Sequence, residues 1–292
     1  MKMFKFFFIL MVFLNCNVND SMSLIINGDT NIEIKKVVDL TSSLKETSGL
    51  INFNGRLITH NDSGGGAYLY EIDINTGDVS RRVEILNVIN IDFEDLAQDD
   101  NYIYVGDIGN NSNQRKDLVI YKISKSDYIN NTEVTAETIK ISYKEQIDFS
   151  KSKNSANFDS EAIVIIENDL FLFTKNWGNL KTSVYKIPKS EGTYELEAID
   201  SYDIDGLITG ADYNKNNRTL VLTGYQNFMP FIVKLNDFSA FNPLDGKVEK
   251  KSIRVSGSIQ IEAIAANPDG SYYLSAENSG GLPAILYELK FN

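Results

Sequence analysis

The 292-residue chain is poor in several side chains on which many enzymes depend: it has one cysteine, one histidine and one tryptophan. A single cysteine excludes an internal disulfide. A single histidine, His60, excludes a cluster of imidazole metal ligands and leaves one base for any Ser-His-Asp or Cys-His arrangement. Positive charge is also scarce, because 28 Lys and Arg face 40 Asp and Glu, giving a net charge of -12. Such a surface repels phosphate, so nucleic acid is not an expected partner.

The N-terminus carries a long apolar run, residues 6–14, which follows a basic start and ends in a polar segment. This pattern is typical of a secretory signal peptide, here over residues 1–21, and the run is shorter than the about 20 residues of a membrane-spanning helix. Cys16 directly follows the apolar core, as in bacterial lipoprotein signals, although Phe13 and Asn15 stand where small residues are usual. Lipidation of Cys16 and ordinary cleavage nearby both stay open. In either case we expect export, to the bacterial cell envelope through a lipid anchor or as a secreted protein, with membrane contact only through that anchor.

The rest of the chain, residues 22–292, repeats one pattern five times. Each repeat has a polar residue before a small or acidic one, then an apolar strand, a turn rich in Asn, Asp or Gly, and a second apolar strand. Equivalent positions lie 46, 67, 48 and 53 residues apart, near the roughly 40–50 residues of a propeller blade. These positions are Ser48, Glu94, Glu161, Thr209 and Glu262.

Third and fourth strands follow the repeated pair, which indicates four-stranded blades. Fourth strands are predicted at 82–86, 138–143, 194–199 and 248–255, whereas the fifth repeat ends without one. The alternating segment 33–38 lies before the first repeat and can supply the missing strand. The sequence therefore predicts an all-β fold: a single five-bladed β-propeller closed by an N-terminal strand. The long second interval holds polar insertions, at 130–136 and 146–157, which we expect to be loops.

The five equivalent positions start the innermost strands, which line the central channel of a propeller. Three carboxylates and two hydroxyls would therefore face one narrow opening. Like charges so close cannot all stay ionised unless a cation joins them. Ca²⁺, which accepts 6–8 oxygen ligands, suits the set better than Zn²⁺ or Mg²⁺. The alternative is that these side chains cap backbone groups or stand in a wet channel as scattered charges.

Short motifs, one in each repeat, resemble the calcium-activated nucleotidases, or apyrases. The matching segments are 47–57, 93–106, 159–162, 209–211 and 261–264. The resemblance implies a five-bladed propeller with a central Ca²⁺ held by a Ser, Glu, Glu, Ser, Glu series, and this chain has Thr209 in the fourth place. It implies a central ion more than it implies nucleotide hydrolysis.

The turns that follow the second strands should surround the channel mouth. They are polar and Gly-rich, and binding residues concentrate on such loops. Asp62 and Asp107 are candidate catalytic residues, which would hold a second cation or orient water. The candidate ligand-binding residues are amides, cations and rings: Asn61, Asn110, Arg115, Lys175, Trp177 and Tyr225. The alternative for these loops is ordinary hairpin chemistry, with Trp177 packed between blades.

Three functions remain open from the sequence. The first is a calcium-binding module, expected to be monomeric, that presents a small-molecule or protein ligand site over the ion. The second is a Ca²⁺-dependent phosphohydrolase, nucleotidase- or phytase-like, in which metal-activated water attacks phosphorus and no histidine is needed. The third is a surface adhesion or secretion accessory.

Overall fold

The structure is a computed structural model that describes residues 32–253, 255, 259–278 and 281–292. The first strand is β1 (Ile32–Asp39), followed by a 3-10 turn (Ser42–Leu44). The first two blades comprise β2 (Thr47–Phe53), β3 (Arg56–Asn61), β4 (Tyr68–Ile72), β5 (Val79–Ile85), β6 (Phe93–Gln98), β7 (Tyr102–Asp107), β8 (Val119–Ser124), helix α1 (Lys125–Asn130), β9 (Glu133–Val134) and β10 (Glu137–Tyr143).

The remaining strands complete three further blades, except that one of them, β14 (Gly192–Leu196), joins the sheet of the second. They are β11 (Ser160–Ile166), β12 (Asp169–Thr174), β13 (Thr182–Ile187), β14 (Gly192–Leu196), β15 (Asp200–Tyr202), β16 (Leu207–Asn214), β17 (Thr219–Gln226), β18 (Met229–Asn236), β19 (Lys247–Ser252), β20 (Ile261–Ala266), β21 (Tyr272–Ala276) and β22 (Ile285–Phe291). Five separate sheets result, and the innermost strands β2, β6, β11, β16 and β20 contact one another around a central channel. The predicted five-bladed β-propeller is confirmed.

The ring closes as the sequence predicts. Strand β1 pairs antiparallel with β22, from Ile32 opposite Phe291 to Asp39 opposite Ile285. The last blade therefore has the strand order β1-β22-β21-β20. Because the chain continues from β1 into β2 of the first blade, the hydrogen bonds between β1 and β22 join the first and last blades.

The interblade packing explains the abundance of aromatic and branched residues. Strand β12 buries both of its faces: Phe171 and Phe173 pack into the cluster shared with the fourth blade, and Leu170 and Leu172 pack into the cluster shared with the second. All four side chains are fully buried. A strand covered on both faces reads as a continuous apolar run instead of an alternating one, which is how this segment appears in the sequence.

Two local predictions were wrong. Segment 194–199 is not the fourth strand of the third blade: β14 pairs parallel with β10 of the second blade, and the short β15 pairs with β13 instead. Leu196 is buried against the second blade's cluster there, and this packing favours the exchange. The insertion 130–136 is not only loop, because β9 adds to β5 and buries Val134. Segment 146–157 has no helix or strand, as expected.

Candidate functional site

Every innermost strand carries a β-bulge close to its start. The residue that interrupts the pairing register is Gly49, Glu94, Glu161, Thr209 or Glu262, in the order of the blades. A bulge places two residues opposite one and turns a side chain away from the regular alternation. Four of the five bulged residues are predicted metal ligands, and the fifth adjoins Ser48. In the second, third and fifth blades, the bulge therefore explains why a Glu side chain leaves the interblade core at this level.

A cavity of about 410 Å³ lies at the channel end where these bulges occur. We call this side of the propeller the mouth face. It consists of the connections after second and fourth strands, which are the described residues of 40–46, 62–67, 86–92, 108–118, 144–159, 175–181, 203–206, 227–228, 253–260 and 277–284. Six carboxylate residues line the cavity: Asp62, Asp92, Glu94, Glu161, Glu262 and Glu277. Ser48 lines it as well, so four of the five predicted metal residues face this space.

The two predicted hydroxyl ligands hold backbone groups of the next blade. Ser48 Oγ donates a hydrogen bond to the carbonyl oxygen of Glu94 at 2.5 Å, and Thr209 Oγ1 donates to that of Ile261 at 2.7 Å. Thr209 is buried and does not line the cavity. For these hydroxyls, the geometry corresponds to the alternative interpretation, in which they cap backbone groups and join neighbouring blades.

Glu94 lies at the centre of the carboxylate cluster. The Glu94 carboxylate belongs to two groups of three carboxylates. One group includes Asp62 and Asp92, and the other includes Asp159 and Glu161; within each group, one oxygen of each residue lies within 4.8 Å of the others. Gly109 lets this cluster form, because a Cβ there would collide with Glu94 Oε1 and Asp92 Oδ2. Asp92 and Asp159 were missed in the sequence. Their signal is an Asp two residues before the bulged Glu, which occurs in both the second and the third blade.

Burial and mutual repulsion make the charged forms of these acids unfavourable. Burial, reinforced by Glu161 and Asp62, raises the pKa of Glu94 well above its ordinary value. Burial and the charge of Asp92 raise the pKa of Asp62 to about 7. Burial also raises the pKa of Asp92 to about 6, although Arg115 opposes the shift. Asp62 Oδ1 is buried without a hydrogen-bond partner among the described residues. The cluster thus lacks positive charge at its centre.

Lys175 supplies one cation on the other side of Glu161. Its Nζ lies 2.5 Å from Glu161 Oε2, and it stands 5.0 Å from the centre of the Trp177 ring and 5.1 Å from that of Tyr225. Burial alone would lower the pKa of Lys175, but the charges of Glu161 and Glu262 outweigh it and raise the pKa well above its ordinary value. The cavity wall therefore already stabilises an ammonium group between a carboxylate and two aromatic rings.

The predicted ligand-binding residues divide into two groups. Lys175, Trp177 and Tyr225 line the cavity. The others hold the loops behind it, where Arg115 Nη1 donates to Asp107 Oδ1 at 2.8 Å and Asp107 in turn accepts from the backbone N–H of Asp92 at 3.1 Å. The two asparagines also hold these loops in place. The Asn61 side chain donates to the carbonyl oxygen of Ser43, the backbone N–H of Asn110 donates to the Asp159 carboxylate, and the Asn110 side chain donates to the carbonyl oxygen of Phe158.

His60 lies outside the cavity lining. It is fully buried against Phe93, and burial lowers its pKa to about 4. A Cβ at Gly49 would collide with its ring, so this close approach requires the glycine. The histidine packs the hub beneath the site, and the titratable groups that line the cavity are six carboxylates, Lys153, Lys175 and Tyr225.

Comparisons with known proteins support the architecture. No protein-family model matches the chain, and no curated protein is similar to it in sequence. Among solved structures, it resembles the PQQ-bound aldose sugar dehydrogenase of Streptomyces coelicolor, with 10% identity, 91% of this chain and 100% of that chain covered, and a TM-score of 0.50. It also resembles the apo-form of the soluble aldose sugar dehydrogenase of Escherichia coli, with 9% identity, coverage of 89% and 100%, and a TM-score of 0.52. Likeness at this identity shows a shared propeller fold and nothing about activity.

The described part of the chain includes no helix with the length and apolar character needed to cross a bilayer. The predicted signal peptide, residues 1–21, and Cys16 lie outside the described residues. Export, lipidation and the resemblance to the nucleotidases therefore stay predictions.

Proposed function

We propose that the protein is an exported calcium-binding propeller that presents a ligand site over the ion. The observation that carries the proposal is Glu94. It is only 8% exposed, its carboxylate faces the cavity without a hydrogen bond from any described residue, and it lies within 4.8 Å of two separate pairs of carboxylates. A buried carboxylate without a donor is unfavourable unless a cation or a proton joins it.

The residues present fit Ca²⁺. Carboxylates at this spacing offer only oxygen ligands, and Ca²⁺ accepts 6–8 of them in flexible geometry. Glu94 would be shared, with Asp62 and Asp92 on one side or Asp159 and Glu161 on the other. When bound, the ion would offset part of the negative charge of the cluster and attract oxygen atoms of a ligand. The buried Asp62 Oδ1, which has no partner among the described residues, suits the first of these two positions.

Aromatic rings on the opposite wall suit the organic part of a ligand. Trp177, Tyr225 and Phe228 line the cavity, and the rings of Tyr225 and Phe228 are nearly parallel at 6.5 Å. An aromatic wall beside a group that binds oxygen atoms can orient a small molecule with one apolar face and several polar groups. We therefore expect ligand affinity to depend on calcium.

A phosphohydrolase has less support. Phosphoryl transfer needs cations around the phosphate, yet Arg115 is engaged by Asp107 behind the cavity and Lys175 by Glu161. Among the described residues, this leaves Lys153 as the one basic side chain of the lining without an ion pair. The cofactor PQQ, which the Streptomyces protein holds, carries carboxylates of its own. A cavity lined by six carboxylates would repel that cofactor unless a bound cation first offset the negative charge.

Calorimetric titration of the purified protein tests calcium binding. We expect one Ca²⁺ to bind and Mg²⁺ to bind more weakly, because Mg²⁺ requires a strict octahedron and retains its water. Glu94→Gln should weaken Ca²⁺ binding by about 100-fold, since it removes a shared anionic ligand. Glu249→Gln is the matched control, because Glu249 stands on outer strand β19 and pairs with Lys247. Absence of Ca²⁺ binding, or equal loss in both variants, would contradict the proposal.

Export is tested separately. The mass of the intact protein from the membrane fraction should show diacylglyceryl modification at Cys16, and Cys16→Ser should move the protein to the soluble fraction. A mature chain without lipid that starts after Cys16 would leave secretion in place and exclude the anchor. A chain retained in the cytoplasm with residues 1–21 intact would contradict export.

A further inference from the structure

The mouth face carries exposed apolar side chains as well as the acidic cavity. Among the described residues, twelve large hydrophobic side chains are exposed, and seven of them stand on the mouth face. Leu86, Ile89 and Ile91 share the connection that leads to Asp92, and Ile89 is 77% exposed. On the far side of the cavity, Phe228 is 65% exposed and follows Tyr225 in the cavity wall.

Single exposed apolar residues are ordinary on soluble proteins. Several of them in one connection, beside a polar cavity, are typical of a protein–protein interaction site. Away from the mouth face, Ile74, Ile129, Ile199 and Phe241 are exposed, each in a different segment between strands. The mouth face therefore combines an acidic cavity with exposed apolar side chains, which suits an occupant that contacts both.

The charge of the cavity indicates the chemistry of that occupant. Six carboxylates line it, against two lysines, Lys153 and Lys175. If all are ionised, one bound Ca²⁺ would still leave an excess of negative charge. Lys175 also shows that an ammonium group is accommodated beside Glu161 and the aromatic rings. A basic side chain that enters from outside would meet the same kind of environment.

We infer that the mouth face docks a polypeptide partner that lays apolar residues on the rim and directs a Lys or Arg side chain into the cavity. The negative charge of the cavity and of the chain disfavours the other occupants. A second copy of the chain, seated face to face, would bring two acidic cavities together. An anionic lipid surface would be repelled by a chain of net charge -12. A partner with a basic side chain and apolar neighbours satisfies both features at once.

The single tryptophan provides the measurement. Trp177 lines the cavity, so its fluorescence reports occupancy directly in the full protein. The probes are four synthetic peptide pools with a fixed central Lys, Arg, Gln or Glu, flanked on both sides by random mixtures of Leu, Ile, Phe and Val. With Ca²⁺ present, the Lys and Arg pools should bind about tenfold more tightly than the Gln pool, and the Glu pool should bind least.

Two rim variants, Ile89→Asp and Phe228→Asp, should each weaken binding of the Lys pool about tenfold, and Phe241→Asp on the opposite face should leave it unchanged. All three positions are exposed, so folding is expected to survive. Equal binding of the Lys and Glu pools, no binding of any pool, or equal loss in Phe241→Asp would overturn the inference. A dimer of the protein that Ile89→Asp dissociates would also overturn the inference. Binding to phosphatidylglycerol vesicles that Ile89→Asp abolishes would overturn it as well. Because Ca²⁺ binding is measured separately, the docking surface and the calcium site can fail independently.

Discussion

Replacing Lys175 by methionine separates the role of the built-in cation from that of the metal. The side chain is 5% exposed, and its ammonium group lies 2.5 Å from Glu161. Methionine keeps an unbranched apolar stem and removes the charge, so Glu161 is left buried without its cation. Breaking a buried ion pair in this way costs about 3–5 kcal/mol. Burial already raises the pKa of Glu161, so protonation can relieve part of this cost at low pH.

The same variant should bind Ca²⁺ more tightly. Removing Lys175 releases Glu161 for coordination and takes away a positive charge near the proposed ion. Two unit charges about 4 Å apart interact by about 1 kcal/mol in water and about 4 kcal/mol near a protein surface. Because Lys175→Met removes this repulsion, its Ca²⁺ affinity should rise by roughly tenfold or more. The free energy of unfolding of the variant should therefore rise as Ca²⁺ is added, and it should rise by more than that of the parent protein.

Urea unfolding with and without Ca²⁺, at pH 5 and pH 8, measures both effects. Without Ca²⁺ we expect Lys175→Met to lose about 3 kcal/mol of unfolding free energy at pH 8 and clearly less at pH 5. Lys153→Met is the matched control, since Lys153 lines the same cavity without an ion pair among the described residues. Unchanged stability at pH 8, or weaker Ca²⁺ binding in Lys175→Met, would refute the reasoning.

Three further predictions follow from the same geometry. The pKa values of Asp62 and Asp92 are raised to about 7 and about 6, so these groups contribute stability below pH 4 that is lost as the pH rises. Without Ca²⁺, the melting temperature should therefore fall between pH 5 and pH 8, and added Ca²⁺ should reverse the fall. A melting temperature that does not change with pH would contradict this prediction. Gly109→Ala changes no charge but should displace Glu94 and weaken Ca²⁺ binding in calorimetry, whereas unaltered affinity would remove the crowding argument. Asp212→Ala should cost about 1–3 kcal/mol in urea unfolding with no change in Ca²⁺ affinity, because it leaves the backbone N–H of Ala266 in the next blade without its 2.6 Å hydrogen bond.

The fold was largely predictable because each blade repeats its own signals. Apolar strands, Asn- and Gly-rich turns and the alternating segment before the first repeat are all local features of the sequence. The β14 exchange was not predictable in this way. Tyr194 and Leu196 form an ordinary strand pattern, and only the packing of the neighbouring blade decides which sheet receives it.

The site was predictable in part, for a related reason. Equivalence between repeats placed Glu94, Glu161 and Glu262 around one channel, and they line its cavity. The pattern could not show that Thr209 turns toward a carbonyl group, because that depends on the neighbouring blade. Nor did it assign Asp92 to the cluster, since the close approach requires the bulge at Glu94 and the missing Cβ of Gly109.

A crystal structure grown with Ca²⁺, with anomalous scattering used to identify the ion, tests the central claim most directly. We predict one ion in the mouth-face cavity, with Glu94 and at least two neighbouring carboxylates as ligands at about 2.3–2.6 Å. An empty cavity at saturating Ca²⁺, or an ion bound elsewhere while Glu94 stays protonated, would contradict it.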